Sequence, residues 1–303
     1  MKIIYLGTPA FAVAPLKAII EAGFDVVAVV TAPDKPAGRG MQIQFSPVKK
    51  YALTKNIPVL QPKKLKDPTF IEQLASFKAD IQVVIAFRML PEVVWNMPPK
   101  GTINLHASLL PDYRGAAPIN WAIINGEKET GVTTFFLKHE VDTGDIIGSK
   151  KTKITPDMTA GELHDVLMNL GSELIVETLQ QVAEHNYTAV PQGSNSMKNA
   201  PKIYTNDCQI NWEQNSEQIR NLIRGLSPTP GAFTFYDGKV LKIYSSDVEN
   251  CRHELKPGSI ETDKKNYFKI ACLDGFLAIS DLQPEGKKRM PIRDFLNGLQ
   301  NKV

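Results

Sequence analysis

The sequence predicts an α/β protein in which a parallel sheet occupies the N-terminal part and a smaller all-β domain, a barrel or a sandwich, follows it. Three observations carry this. Strand, helix and strand signals succeed one another at the start of the chain, as at the opening of a βαβ unit. At residues 191–203 the texture changes to PQGSNSMKNAPKI, rich in Pro, Ser and Asn, which reads as a linker. Beyond it come short β-type runs separated by turn residues.

Residues 2–6 are a short apolar run ending in the turn signal Gly7-Thr8-Pro9. Residues 11–22 read as a helix with Leu16, Ile19 and Ile20 on one face, and Pro15 is tolerable only near its first turn. Gly23 stops it, and residues 26–30 form a second buried strand. Apolar runs at 81–86, 102–105 and 133–137 supply further strands, with helical candidates at 69–77, 92–95 and 118–125. A long helix follows Thr159, which stands three residues before Glu162 as in a capping box. Its apolar face runs through Leu163, Val166, Leu167, Leu170, Leu174, Ile175 and Val182. Past the linker, residues 216–224 read as a helix and 231–236, 240–245, 268–272 and 276–282 as strands. The expected division is a first domain over 1–189, a linker over 190–206 and a second domain over 207–303.

A chain of 303 residues can build two proper cores, and its 43% hydrophobic content argues against disorder. No stretch approaches the roughly eighteen apolar residues a membrane helix needs, and MKIIYLGTPAF reads as a first strand rather than a signal peptide. Cys208, Cys251 and Cys272 are odd in number and widely spaced, without a CxxC or zinc pattern. Buried free thiols in a reducing cytoplasm, and no metal, are therefore expected. The net charge of +3 permits a polyanionic partner without demanding one. From residue 207 onward 14 Lys and Arg face 13 Asp and Glu, so nucleic-acid contact there needs a local patch.

The chemistry concentrates in NLHASLLPDYRGAAPI and the later VDTGD. Asn104 and His106 are two apart, so on a strand both point to one face. An amide can hold a developing oxyanion, an imidazole can move protons near neutral pH, and a carboxylate can fix the imidazole tautomer. Either Asp142 or Asp145 could supply that carboxylate, and spacing does not choose between them; either could equally cap the turn. Ser108 sits where a turn should begin rather than beside a base, so the attacking group is expected to belong to the substrate. His139 lies among charged residues and is expected to be exposed.

Elsewhere the signals are weaker. Gly7-Thr8-Pro9 occupies the first strand-to-helix turn, but Pro9 stands where a dinucleotide fingerprint needs its second glycine, which weighs against a nicotinamide enzyme. The loop at 31–46 carries Lys35 and Arg39, the latter flanked by Gly38 and Gly40; it is either a phosphate-approaching loop or an ordinary solvated one. Lys287, Lys288 and Arg289 form a short basic run whose default reading is a solvated hairpin end.

With these residues in view, the chain resembles the methionyl-tRNA formyltransferases over nearly its whole length: YLGTPAFAV, APDKPAGRG, NLHASLLPDYRGAAPI, ETGVT with DTGDI, and LQPEGKKRM. The central block and the DTGD turn are similar to what formyltetrahydrofolate-using transferases and hydrolases share; the start, the PAGRG loop and the C-terminal domain narrow the resemblance to the tRNA enzymes. The resemblance implies a Rossmann-like parallel-sheet domain and a C-terminal OB-like β-barrel that binds tRNA. It implies transfer of the formyl group of 10-formyltetrahydrofolate to the α-amine of methionyl initiator tRNA, by a cytoplasmic enzyme taken as a monomer. The family's Asn, His and Asp fall on Asn104, His106 and Asp142, which selects Asp142 over Asp145. Folate is implied against Phe87, Arg88, Met89 and Leu90 and against Ser108, Leu109, Leu110 and Pro111. The tRNA is implied against Lys35, Arg39, Lys287, Lys288 and Arg289. One departure stands out: many relatives have glycine where this chain has Arg88, which must clash with the pteridine, turn outward or assist a folate carboxylate.

Overall fold

The computed structural model describes residues 1–37, 42–193 and 198–300. The chain divides into two compact units, one of Met1–Gly115, Thr130–Thr152 and His164–Asn199, the other of Ala116–Glu129, Lys153–Leu163 and Ala200–Val303.

The first unit is built on β1 (Lys2–Gly7), β2 (Asp25–Val30), β3 (Val59–Leu60), β4 (Ile81–Ile85), β5 (Thr102–His106), β6 (Glu129–Phe136) and β7 (Ile146–Lys153). They form one sheet in the order β7-β6-β5-β4-β1-β2-β3. The five strands from β3 to β5 pair in parallel, and β6 runs antiparallel to β5. Parallel strands covered on both faces are buried throughout: Ile3, Ile4, Tyr5 and Leu6 of β1 are buried, and in β4 Ile81, Val83 and Ile85 line one face while the equally buried Gln82 lies beside Val84 on the other. The chain leaves β1 towards β2 and β3, then returns to the other side of β1 at β4, pairing Ile85 with Gly7. Strand order therefore reverses between β1 and β4, and such switch points open a crevice beyond the carboxyl ends of the strands.

The first crossover is a single 3-10 turn, Ala10–Ala12, followed by α1 (Val13–Glu21), which buries Leu16 and Ile19. Next come α2 (Pro47–Thr54), α3 (Pro68–Ser76) and α4 (Glu92–Trp95). Both α2 and α3 begin with Pro behind a capping side chain: Ser46 accepts from Lys49 N at 3.0 Å and Asp67 from Thr69 N at 2.9 Å. Phe70, Leu74 and Val94 of these helices meet Ile4, Leu6 and Val30 in one core. The long loop expected at 31–46 contains a two-stranded ribbon, Lys35–Ala37 with Gln42–Gln44.

In the second unit, α5 (Pro118–Ile124) packs near α7 (Ser216–Leu226), with the Asn120 amide donating to Gly225 O at 2.7 Å. The strands β8 (Ala232–Tyr236), β9 (Lys239–Asn250), β10 (Ile260–Thr262), β11 (Phe268–Ala271) and β12 (Gly275–Pro284) run in the order β8-β9-β12-β11-β10, with β13 (Met290–Pro291) beside β12. Every pair is antiparallel, and the register of β9 on β12 slips around Ser245. Such irregularities bend a strand. The short strands expected of an OB-like barrel thus form a curled antiparallel sheet, a half-barrel. The closing helix α8 (Ile292–Gln300), absent from the sequence reading, buries Phe295 and Leu296 in this unit's core.

The helix α6 (Ala160–Ala183) begins in the second unit and continues in the first. Its capping box forms as the sequence predicts: Thr159 N donates to Glu162 Oε2 at 2.8 Å, and Glu162 N to Thr159 Oγ1 at 3.3 Å. Most of the expected apolar face is buried, but Val166 is exposed, and Leu179 belongs to the face instead. Thr159→Ala is expected to lower stability by about 1 kcal/mol in urea denaturation. Backbone and hydroxyl donors from Thr159 hold the Glu162 carboxyl below the usual carboxylate range. A depressed pKa contributes stability above its unfolded value that is lost as pH falls through the folded one. The difference between the two proteins should therefore shrink on acidification.

Candidate active site

The site grows from the end of β5. Leu105 turns to the opposite face from its neighbours and is covered by α6, where Gly171 leaves room only for hydrogen: a Cβ there would meet Leu105 at 2.7 Å. That fixes the strand and leaves Asn104 and His106 together on the other face. His106 is buried, and one ring nitrogen, Nε2, lies 2.8 Å from the Tyr113 carbonyl. A carbonyl only accepts, so Nε2 carries a proton and Nδ1 is the nitrogen that can gain and lose one. Nδ1 faces Asp142 Oδ2 at 3.9 Å, an electrostatic contact rather than a hydrogen bond. The half-buried Asn104 carboxamide has no hydrogen-bonding partner among the described residues.

Asp142 is itself held. Its Oδ2 accepts from Gly115 N at 3.0 Å, and Gly115 adopts φ +124, a conformation that favours glycine. The structure separates the two aspartates that spacing could not: Asp142 is enclosed beside His106, whereas Asp145 pairs with Lys138 at 2.7 Å on the surface. His139 is exposed beside Glu92, as expected.

The turn after β5 is tied internally. Thr133 Oγ1 donates to Ser108 O at 2.7 Å and accepts from Leu110 N at 3.1 Å. Ser108 is fully buried and its hydroxyl donates to Asp112 O at 2.7 Å, so it offers no nucleophile and serves the turn. Leu110 is buried as well, while Leu109 and Pro111 remain partly open. At the end of β4 the chain passes through Ala86 at φ +49 into Phe87, Arg88, Met89 and Leu90. Met89 is 76% exposed, Phe87 half-buried and Leu90 buried. Arg88 is exposed, and its guanidinium donates to the carbonyls of Lys63, at 3.0 Å, and Pro62. Half-open apolar side chains and an unpartnered carboxamide at neighbouring strand ends suit a flat heteroaromatic ligand bearing a reactive carbonyl.

Sequence reasoning missed Gln192, inside the segment read as linker. Its amide donates to Asp142 O at 2.9 Å and Gly144 O at 2.8 Å, and accepts from Arg114 Nε at 3.1 Å and Nη2 at 2.6 Å. Among the cations expected to face RNA, Lys35 is exposed and Arg39 lies outside the described residues. Lys287 and Lys288 are exposed; Arg289 pairs with Asp281 at 2.9 Å and lies 4.5 Å over the Tyr244 ring. Among the described residues no group of three or more His, Cys, Asp or Glu is placed to hold a metal, and no helix is long and apolar enough to cross a membrane.

An amide, an imidazole and an enclosed carboxylate at the carboxyl end of a parallel strand are the groups that acyl-transfer chemistry uses. Residues 1–179 match the family model described as formyl transferase, and residues 202–300 the formyl transferase C-terminal domain. The chain belongs to the formyl transferase family. It is 50% identical over 307 residues to the methionyl-tRNA formyltransferase of Bacteroides fragilis, covering 98% of this chain and 95% of that protein. Against the methionyl-tRNA formyltransferase of Parabacteroides distasonis the identity is 51% over 311 residues, covering 99% and 96%. Among solved structures, the sugar 3N-formyl transferase WlaRD, crystallised with dTDP and 5-N-formyl-THF, superposes with a TM-score of 0.69 at 23% identity over 95% of this chain and 99% of that one. HypX from Aquifex aeolicus in complex with tetrahydrofolic acid gives 0.67 at 18% identity, over all of this chain and 48% of that one. At such identities these two establish a shared fold.

Proposed function

We infer that this chain transfers the formyl group of 10-formyltetrahydrofolate to the α-amine of methionyl initiator tRNA, for translation initiation. The observation that carries the reading is the Asn104 carboxamide, unpartnered among the described residues and two residues along the same strand face from the His106–Asp142 pair. Full-length relatives bearing that activity's name support the choice of acceptor.

In this reading the folate co-substrate supplies an activated formyl carbon, seated against the 87–90 and 108–111 segments. The aminoacyl amine attacks that carbon, and the carbonyl oxygen becomes an oxyanion to which Asn104 donates. The proton leaving the amine passes through His106 Nδ1, where the adjacent Asp142 carboxylate stabilises the imidazolium. Collapse of the intermediate returns a proton to the departing folate nitrogen. Lys35 and Arg39 in the first unit, and Lys287, Lys288 and Arg289 in the second, take phosphates of the tRNA. A cytoplasmic monomer completes the reading.

The test is formyl transfer to initiator and elongator tRNA charged with the same methionine. Strong preference for the initiator is the expected result. Consumption of formylfolate with neither tRNA formylated would overturn the choice of acceptor and point to a hydrolase or another amine.

A further inference from the structure

Asp142 presents its carboxylate from an awkward place. It lies in a turn, at φ +55, where an L-residue is disfavoured, so the surroundings must hold it. Two stretches of chain do the holding. One is the 142–144 turn itself; the other is Arg114-Gly115, whose Gly115 N–H caps the carboxylate. Among the described residues, the hydrogen bonds that join them are that single one and those of the Gln192 side chain.

Gln192 reaches both. Its Nε2 spends both hydrogens on the turn, at the carbonyls of Asp142 and Gly144, while its Oε1 takes two N–H donors from the Arg114 fork. The chain is brought there by a backbone bridge: Ile146 and Val190 exchange two hydrogen bonds at 2.8 Å, which lays the 190–193 stretch beside the turn that precedes β7. The chemistry admits one residue type. Both carbonyls need donors and the guanidinium needs an acceptor, so the amide cannot flip, a glutamate would face two carbonyl oxygens, and a lysine would meet a cation. Asparagine is shorter by one methylene and cannot span the same three partners.

We propose, building on the formyl-transfer reading, that Gln192 is a positioning residue that sets the Asp142 carboxylate against His106 Nδ1. The connecting segment is then part of the scaffold of the reaction centre rather than a tether. Gln192 touches no reacting atom; it acts through Asp142.

The test compares full-length Gln192→Glu and Gln192→Met with the parent enzyme. Single-turnover formylation is read at saturation and across the neutral pH range, with thermal unfolding in parallel. The expected result is a saturating rate lower by about 10- to 100-fold, unchanged KM for both substrates, and a displaced pH–rate profile, since the group facing Nδ1 has moved. Gln192→Met, uncharged and of similar length, carries the same readout where the carboxylate variant does not fold. A parental rate and pH profile per folded molecule would overturn the proposal, as would a loss confined to KM. Failure of both variants to fold would mark a purely structural residue and overturn it too. Should the parent enzyme consume formylfolate without formylating tRNA, only the acceptor reading falls, and the same comparison is made on that consumption.

Discussion

Asn104→Ala is expected to slow single-turnover formyl transfer by about 100- to 1,000-fold, or roughly 3–4 kcal/mol of transition-state stabilisation. The size follows from what the carboxamide does not do in the resting protein. It has no partner among the described residues, so it is free for an oxyanion and its removal leaves no buried group unsatisfied. Stability should therefore stay within about 0.5 kcal/mol of the parent. Folate binding, which we propose rests on the 87–90 and 108–111 segments, should persist. A variant that binds folate normally and still reacts at the parental rate would remove Asn104 from the mechanism.

Gly144→Ala is expected to do as much damage by another route. A Cβ at Gly144 would lie 1.5 Å from the carbonyl oxygen of Phe136 and 2.7 Å from its carbon. The obstacle is strand backbone, tied to the turn by Phe136 N donating to Asp145 O at 3.0 Å, so no side-chain rotation relieves it. Either the turn lifts off β6 or the strand end moves. We expect a loss of about 3 kcal/mol or more in denaturant unfolding and little activity in the fraction that remains folded. Gly193→Ala is the control: among the described residues, apart from its chain neighbours, no atom lies within 4 Å of a Cβ there. A Gly144→Ala enzyme as stable and as fast as that control would contradict the close approach.

Much of this site was legible before any coordinates. Alternation along a strand is local, so Asn104 and His106 could be put on one face from their spacing. The capping box of Thr159 and Glu162 is equally local and formed as read. What stayed hidden depends on contacts from far along the chain. Gln192 sits in a stretch whose composition says linker, and no composition reports that one of its side chains meets Asp142, 50 residues earlier. The direction of Arg88 depended on carbonyls at Pro62 and Lys63, supplied by a different strand-to-helix connection. Spacing left Asp142 and Asp145 open and only the resemblance chose Asp142; the physical difference, that the turn encloses Asp142 beside His106, appears in the structure alone. Among the elements that escaped, β7 and α8 did so for simpler reasons. β7 reads IIGSKKTK because it is an edge strand with one face in water, and polar alternation with a glycine imitates a loop. α8 follows β13 without an intervening loop, and its Ile292, Phe295, Leu296 and Leu299 lie in or against the core at helical spacing.

The bends at Ala86, Tyr113 and Asp142, with φ of +49, +60 and +55, carry a consequence for anyone improving this protein. Each holds an L-residue where glycine would sit more comfortably, at a cost on the order of 1–3 kcal/mol. A screen that rewards only melting temperature would favour variants that relax them wherever the strain relieved exceeds the entropy that glycine adds to the unfolded chain. The survivors would be sturdier proteins with slacker strand ends, and the hardiest variants in such a collection would be among its slowest enzymes.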